Sequence, residues 1–291
     1  MKTPQQSFPE LNTAIGTEVY LKREDLHKYK SHKGRSIPLM LKRYAKEGDT
    51  KFVISSSGNA AIAGALATLN HNRNNPHAQV TLDIFIGKQI DEKKKKLLER
   101  EANGDGITIT QVERPKQAAF QMEKEGTARF LRQSTDDLAL EGYLSLAQDL
   151  SKIPDLKAVF VPTSSGTTAQ ALKIGFDELD RNIQIHIVQT SAVHPMAEAF
   201  DSNGETETSA ASAIVDKIAH RKEAVVQAVQ QSGGHGWIVT DEQIKEARKI
   251  VRETTNIDIS PNSALAVAAV QKALAGGWTW DGPVASLITG T

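Results

Sequence analysis

The sequence predicts an α/β protein with mainly parallel sheets. Short β-rich apolar runs alternate with longer segments whose apolar residues recur every three or four positions, which is the pattern of βαβ units. Two of the predicted strands run into turns rich in serine, threonine, glycine and asparagine, and each turn opens a helix. Such turns let a backbone approach a ligand closely and present unpaired N–H groups.

The pattern assigns most of the chain to strands and helices. The predicted strands are Glu18–Lys22, Lys51–Ser55, Val80–Ile86, Ile107–Val112, Ala158–Val161, Ile183–Thr190, Gly236–Val239 and Val284–Ile288. The predicted helices are Ile37–Ala45, Asn59–Leu69, Asp91–Glu101, Gln117–Gln133, Gly142–Leu150, Thr168–Leu179, Lys217–Gln231, Asp241–Glu253 and Ser263–Ala275. Two polar segments, Asn70–Gln79 and Asp201–Thr208, are predicted to be surface loops.

Composition excludes several classes of function. The 35 Lys and Arg residues balance the 35 Asp and Glu residues, so no overall field recruits nucleic acid or an anionic membrane. The absence of cysteine excludes disulfides, thiolate metal sites and cysteine nucleophiles. No uncharged apolar run approaches the roughly 20 residues of a membrane helix. We therefore expect a soluble, cytoplasmic protein that binds neither nucleic acid nor a membrane, and we predict no metal site.

One lysine stands in a setting that suits chemistry. The predicted strand Glu18–Lys22 leads into Arg-Glu-Asp-Leu26. Ser31-His-Lys-Gly-Arg35 follows, and a helix begins close to Lys33. Like charges, burial and the positive end of a helix favour the neutral form of an amine there, which is the condition for a nucleophilic lysine. Most lysines are solvated surface residues, so the segment alone is weak support.

Three further turns could hold polar parts of a ligand. Asn59 follows a strand and begins an alanine-rich helix, Ser164–Thr168 form a hydroxyl-rich turn suited to a phosphate dianion, and Thr289 follows the last strand. Each has a plainer interpretation, as a helix cap, a strand-to-helix connection and a terminal strand respectively. Neither a Walker loop nor a GxGxxG dinucleotide loop is present in the sequence.

Taken in order, these segments resemble the fold type II pyridoxal-phosphate enzymes, the tryptophan synthase β-subunit family. The resemblance covers nearly the whole chain. It is carried by Thr3-Pro4, Leu21-Lys-Arg-Glu-Asp-Leu26, Ser31-His-Lys33, Ser56-Ser-Gly-Asn59, Glu141-Gly-Tyr143, Ser164–Thr168 and Thr289-Gly290. It implies two three-layer α/β domains with mainly parallel sheets, pyridoxal 5'-phosphate as cofactor, and a homodimer.

The resemblance also implies a role for each matching residue. Lys33 would form the Schiff base and move protons, Asn59 would contact the ring oxygen, and Thr289 would face the ring nitrogen. The implied phosphate ligands are Ser164, Ser165, Gly166, Thr167 and Thr168. The implied substrate-carboxylate site is Ser55, Ser56 and Ser57 at a helix start.

The resemblance further implies how the chain divides into domains. A larger cofactor-binding domain would combine residues 1–41 with 141–291, and a smaller domain, 42–140, would close over the substrate.

The branch of the family is left open between two possibilities. The Lys-Arg-Glu-Asp and Ser-x-Lys-x-Arg segments resemble serine/threonine dehydratases, whereas the terminal Thr-Gly and Ser212-Ala-Ile214 resemble threonine synthase. Both branches carry out β- or γ-elimination or replacement on a small L-amino acid. A β-replacing, cysteine synthase-like enzyme and a catalytically silent binding or regulatory subunit are the alternatives, the latter because Ser260 stands where the family often has an acid.

Overall fold

The computed structural model describes residues 2–202 and 205–290. The chain divides into two compact units. The larger unit comprises the residues up to His27 and those from Tyr143 onwards, and the smaller unit is Lys28–Gly142. Residues 28–41, which the sequence placed in the larger domain, group with the smaller unit because Ile37, Met40 and Leu41 pack into its core. The cofactor-binding and closing roles of the predicted domains stay predictions.

Strands and helices alternate along most of the described chain. The strands are β1 Gln5–Ser7, β2 Val19–Arg23, β3 Lys51–Ser55, β4 Thr81–Gly87, β5 Ile107–Val112, β6 Arg129–Phe130, β7 Ala158–Pro162, β8 Gln184–Thr190, β9 Gly236–Val239 and β10 Val284–Ile288. The α-helices are α1 Pro9–Ile15, α2 Ile37–Glu47, α3 Asn59–Asn74, α4 Glu92–Glu101, α5 Pro115–Lys124, α6 Leu138–Leu150, α7 Thr167–Glu178, α8 Lys222–Gln231, α9 Asp241–Thr255 and α10 Pro261–Ala275.

The larger unit is built on a six-stranded sheet in the order β1-β2-β10-β7-β8-β9. Only β1 pairs antiparallel, and β10 lies between β2 and β7 with parallel pairing to both. Val19 and Leu21 of β2 and Val284 of β10 are buried in a core that includes the apolar sides of α1, α9 and α10. The parallel strands direct their carboxyl ends to one edge of the sheet.

The smaller unit has a four-stranded, wholly parallel sheet in the order β5-β4-β3-β6. Helix α3 packs against it through small side chains, so that a Cβ on Gly64 would lie 3.2 Å from Leu82 Cδ2. Ile54, Ala61 and Ile84 belong to the same buried cluster. Helix α3 therefore packs closely on the sheet directly after β3.

The predicted α/β class with mainly parallel sheets is confirmed, and several elements differ from the prediction. The helix predicted over Gln117–Gln133 is wrong in its second half. Helix α5 ends at Lys124, Gly126 takes a left-handed conformation with φ +69°, and the chain re-enters the sheet as β6. Helix α8 begins at Lys222 instead of Lys217, because Ala219 has φ +49° and interrupts the helix. The prediction missed β1 and α1 altogether.

The two predicted polar loops have different outcomes. Asn70–Gln79 begins as the last turns of α3, which continues to Asn74. Within Asp201–Thr208, residues 203 and 204 lie outside the described part of the chain. Among the described residues, no helix has the length and apolarity needed to cross a membrane.

An aromatic cluster encloses a buried histidine in the larger unit. The His186 ring is fully buried and stacks on Phe160 with ring centroids 4.4 Å apart. Trp237 Nε1 donates to His186 Nδ1 at 3.1 Å, so the ring proton lies on Nε2, which faces Gln184 Oε1 at 3.2 Å. Burial, with a smaller contribution from the charge of His235, lowers the pKa of His186 to about 3.

This lowered pKa predicts a loss of stability in acid. The unfolded chain binds a proton at His186 near its ordinary pKa of about 6.5, whereas the folded chain does so only near pH 3. The contribution of His186 to the free energy of unfolding is therefore fully present above about pH 6.5. Below that pH the free energy of unfolding falls by up to about 1.4 kcal/mol per pH unit. Urea unfolding at about pH 7.5, 6 and 5 measures the free energy of unfolding. It should fall less with decreasing pH in His186→Gln than in the wild type. His77→Gln, at an exposed position, is the control. An equal dependence of the free energy of unfolding on pH in the wild type and in His186→Gln would contradict the lowered pKa of His186.

Candidate active site

The predicted nucleophile Lys33 lies in a short 3-10 helix, His32–Arg35, in the smaller unit. Ser31 leads into this helix in an extended conformation, and its carbonyl accepts from Gly34 N–H at 3.0 Å. The following Ser36 is fully buried and donates its hydroxyl to the Ala139 carbonyl at 2.9 Å. Lys33 is half-buried. The turn is therefore fixed on both sides of a lysine that keeps partial access to solvent.

Gly142 explains the Glu-Gly-Tyr segment in physical terms. A Cβ at this position would lie 2.4 Å from Ser36 Cα and 2.5 Å from the Arg35 carbonyl oxygen. Any side chain would therefore displace the segment that follows Lys33. The glycine is required because two backbones meet there.

Asn59 begins α3, and the helix cap before it is Gly58. Ser56 Oγ accepts from Gly58 N–H at 3.2 Å, which shapes the turn, and Ser55, Ser56 and Ser57 are all half-buried. The Asn59 Oδ1 atom is buried and has no hydrogen-bond partner among the described residues. Helix α3 packs against the short helix that carries Lys33. The first N–H groups of α3 lack intrahelical acceptors, so this turn can receive a carboxylate.

The serine- and threonine-rich turn lies between β7 and α7 in the larger unit. Gly166 caps α7 with φ +83°, and a Cβ there would lie 2.5 Å from Val225 Cγ2. Ser165 Oγ and Thr167 Oγ1 are 3.0 Å apart. Thr167 and Thr168 are buried in the first turn of the helix. The backbone N–H groups at this helix start form the kind of concave donor set that holds phosphate.

Ser164 differs from its neighbours in this turn. Its Oγ accepts from the backbone N–H groups of Val215 and Asp216 at 3.2 and 3.4 Å. Its side chain therefore holds a distant segment against the turn, a contact that sequence reasoning missed. A hydroxyl with both acceptor positions engaged keeps one donor proton.

Thr289 follows β10 and is buried. Its N–H and that of Gly290 donate to Ser263 Oγ at 3.1 and 3.4 Å, and Ser260 Oγ donates to the Gly290 carbonyl at 2.5 Å. Ser260 also caps α10 by accepting from Ser263 N–H. Ser260 thus supports the segment after β10 through neutral hydrogen bonds. Sequence reasoning singled out Ser260 and named Ser263 only as the first residue of a predicted helix.

Strand order places Thr289 and the turn 164–168 at the same edge of the larger unit's sheet. Ser286 of β10 pairs with Phe160 of β7, in parallel. Because the two neighbouring strands run parallel, Thr289 and Ser164 both follow carboxyl ends at the same edge of the sheet.

The Lys-Arg-Glu-Asp segment has a structural explanation. Lys22 is fully buried, and its Nζ donates to the Thr3 carbonyl at 3.0 Å and lies 3.5 Å from Asp149 Oδ2. Glu24 is also fully buried and accepts from the Thr3 hydroxyl. These buried contacts tie the amino-terminal segment to β2, and they account for the motif without a direct part in chemistry.

The residues present fit pyridoxal phosphate. Within the smaller unit, the short helix that carries the half-buried Lys33 packs against α3, and Asn59 at the start of α3 has a buried oxygen without a hydrogen-bond partner among the described residues. Within the larger unit, the start of α7 has the backbone shape that suits an anion. Across residues 2–202 and 205–290, no cluster of His, Asp or Glu suited to holding a metal ion is found.

Comparison with known proteins agrees with this fit. The profile of the family described as pyridoxal-phosphate dependent enzyme matches residues 1–290, and the chain belongs to that family. Threonine synthase of Methanocaldococcus jannaschii is 25% identical over 294 residues, covering 94% of this chain and 69% of that protein. L-threonine ammonia-lyase of Thermotoga maritima is 22% identical over 272 residues, covering 89% of this chain and 64% of that protein.

Solved structures show the same fold. Maize serine racemase superposes with a TM-score of 0.83 at 16% identity, covering all of this chain and 88% of that chain. The predicted family, cofactor and enzyme class are therefore confirmed, as is the likeness to threonine synthases and threonine dehydratases. The individual site residues stay predictions.

The geometry of Gly166 yields a prediction for stability. Gly166→Ala should lower the free energy of unfolding by more than the about 1–2 kcal/mol of a left-handed alanine, because the new methyl group also meets Val225. Gly233→Ala is the matched control, since Gly233 has φ +70° but only an ordinary 3.9 Å contact. Urea unfolding of both variants measures the difference. Equal losses would show that the turn accommodates a side chain.

Proposed function

We propose that this protein uses pyridoxal phosphate to carry out β- or γ-elimination or replacement on a small L-amino acid, as a lyase of the threonine synthase or serine/threonine dehydratase type. The observation that carries the proposal is the short helix holding Lys33, which packs against α3, the helix that begins at Asn59 with a buried oxygen lacking a partner among the described residues. The family match over residues 1–290 and the names of the relatives support it.

Each predicted residue has a role that its local structure suits. Bound pyridoxal phosphate supplies an electron sink for bonds at the substrate's α-carbon. Lys33 holds the cofactor through its amine and afterwards carries a proton at Nζ. Asn59 orients the ring. Ser55, Ser56 and Ser57, with the N–H groups at the start of α3, bind the substrate carboxylate.

The phosphate and the ring nitrogen are assigned to the larger unit. The backbone N–H groups of Ser165, Gly166, Thr167 and Thr168 hold the phosphate, joined by the remaining hydroxyl proton of Ser164. Thr289 meets the ring nitrogen. Its neutral hydroxyl cannot balance a full positive charge as a carboxylate would, so the ring withdraws electrons less strongly. This setting favours elimination and replacement over transamination.

Lys33→Ala tests the assignment of the lysine. Because no other amine is proposed to hold the cofactor, the variant should lose the absorbance of protein-bound pyridoxal phosphate near about 410 nm. Circular dichroism should show that the variant keeps the wild-type fold. The exposed Lys42→Ala is the control and should keep the band. A band that survives in Lys33→Ala would exclude Lys33.

The branch is tested with three substrates added separately to the yellow holoenzyme. L-Serine, L-threonine and O-phosphohomoserine are followed by absorbance from about 300 to 550 nm, with ammonium and inorganic phosphate measured in parallel. Ammonium from L-threonine or L-serine supports the dehydratase type, and phosphate from O-phosphohomoserine supports the synthase type. The enzymatic proposal would be wrong if the protein bound no pyridoxal phosphate, or bound it without turning over any of the three substrates. Either result would favour a silent binding subunit.

The assembly and location follow from the resemblance alone. We propose that the protein is a homodimer in the cytoplasm. Light scattering of the purified protein measures its molar mass and therefore its oligomeric state. A monomeric molar mass would exclude the dimer.

A further inference from the structure

The Ser31 side chain is a buried polar group without a partner. Ser31 is fully buried, and its Oγ has no hydrogen-bond partner in the described ranges 2–202 and 205–290. Burying a hydroxyl removes it from water, so leaving it unpaired is unfavourable, and folded proteins rarely keep such a group without a use for it. The hydroxyl is not a helix cap either, although Ser31 precedes the short helix 32–35.

Ser36, in the same segment, has a buried hydroxyl that does form a hydrogen bond. Ser36 is as deeply buried as Ser31, yet its Oγ donates to the Ala139 carbonyl at 2.9 Å. The two serines flank Lys33, one before it and one after it. The difference between them therefore reflects what each hydroxyl faces, and not the depth of burial.

The position of Ser31 points to a ligand. It lies two residues before Lys33, and the helix that contains Lys33 packs against α3. Asn59, at the start of α3, carries another buried unpaired atom, Oδ1. Ser31 precedes the short helix and Asn59 begins α3, so these two buried, unpaired side-chain atoms lie at the starts of two elements that pack against each other. One is an acceptor and the other can donate as well as accept.

We propose that Ser31 is a cofactor-binding residue whose hydroxyl donates a hydrogen bond to an oxygen of the group that Lys33 holds. The assignment rests on the proposed function, because it takes that group to be pyridoxal phosphate. It complements Asn59, which offers an acceptor to the same group. The hydroxyl is unpaired in the protein alone and becomes paired when the cofactor binds.

The assignment predicts opposite behaviour for two serine variants in protein freed of cofactor. Ser31→Ala should keep or raise the melting temperature, because the change removes an unpaired buried hydroxyl. Ser36→Ala should lower it, because the Ala139 carbonyl loses its donor. Differential scanning calorimetry of the full chain measures both. A loss in Ser31→Ala as large as that in Ser36→Ala would assign Ser31 a structural role and overturn the proposal.

Cofactor binding gives the second readout. Titration with pyridoxal phosphate, followed by absorbance, should show about tenfold weaker binding or more for Ser31→Ala, the size expected for one lost hydrogen bond to a charged or strongly polar group. Titration with pyridoxal then tells which oxygen is contacted. A defect with pyridoxal phosphate alone identifies the phosphate, and a defect with both identifies the ring substituents.

The outcomes separate this assignment from the proposed function. Equal affinity of wild type and Ser31→Ala for pyridoxal phosphate would overturn the Ser31 assignment and leave the proposed function intact. Failure of the wild type itself to bind pyridoxal phosphate would overturn both.

Discussion

The larger unit depends on the parallel pairing of β10 with two strands at once. β10 is drawn from the end of the described chain, β2 from its beginning and β7 from its middle, and Val284 pairs with both Val19 and Ala158. Every residue of β10 is buried. The pairing with β2 continues to Ile288 and Arg23, so the register of β10 fixes where Thr289 leaves the carboxyl edge of the sheet. A slip of one residue would turn every side chain of β10 to the opposite face of the sheet.

Hydroxyl groups maintain this edge of the sheet without charge. Ser263 accepts from the N–H groups of Thr289 and Gly290, Ser260 caps α10 and contacts the Gly290 carbonyl, and Ser164 holds Val215 and Asp216. These neutral bonds suit an anion held by backbone dipoles and a ring nitrogen met by a hydroxyl, which are the settings proposed for the turn 164–168 and for Thr289. A carboxylate at position 260 would instead place a negative charge close to Gly290 O, which already carries partial negative charge.

Local pattern predicted the sheets better than the helices. The bounds of β3, β5, β9 and β10 follow from β-rich apolar runs, since a buried parallel strand has a short and nearly continuous apolar signature. The helix over Gln117–Gln133 failed because Ala128, Phe130 and Leu131 continue its apolar pattern past Gly126. The left-handed Gly126 and the pairing of Phe130 with Val53 decide the outcome. The latter is a long-range contact that a local window does not contain.

The candidate site shows the same division between local and distant information. Sequence motifs predicted the turns of Lys33, Asn59, Gly166 and Thr289, because small and hydroxyl residues cluster there next to predicted strands and helices. They could not show which hydroxyl is already paired. Ser164 is occupied by Val215 and Asp216, Ser36 by Ala139, whereas Ser31 is buried without a partner. That difference exists only after folding has brought distant backbone groups to two of the three serines. A buried hydroxyl left unpaired beside a half-buried lysine therefore carries information about a ligand that the motif itself does not.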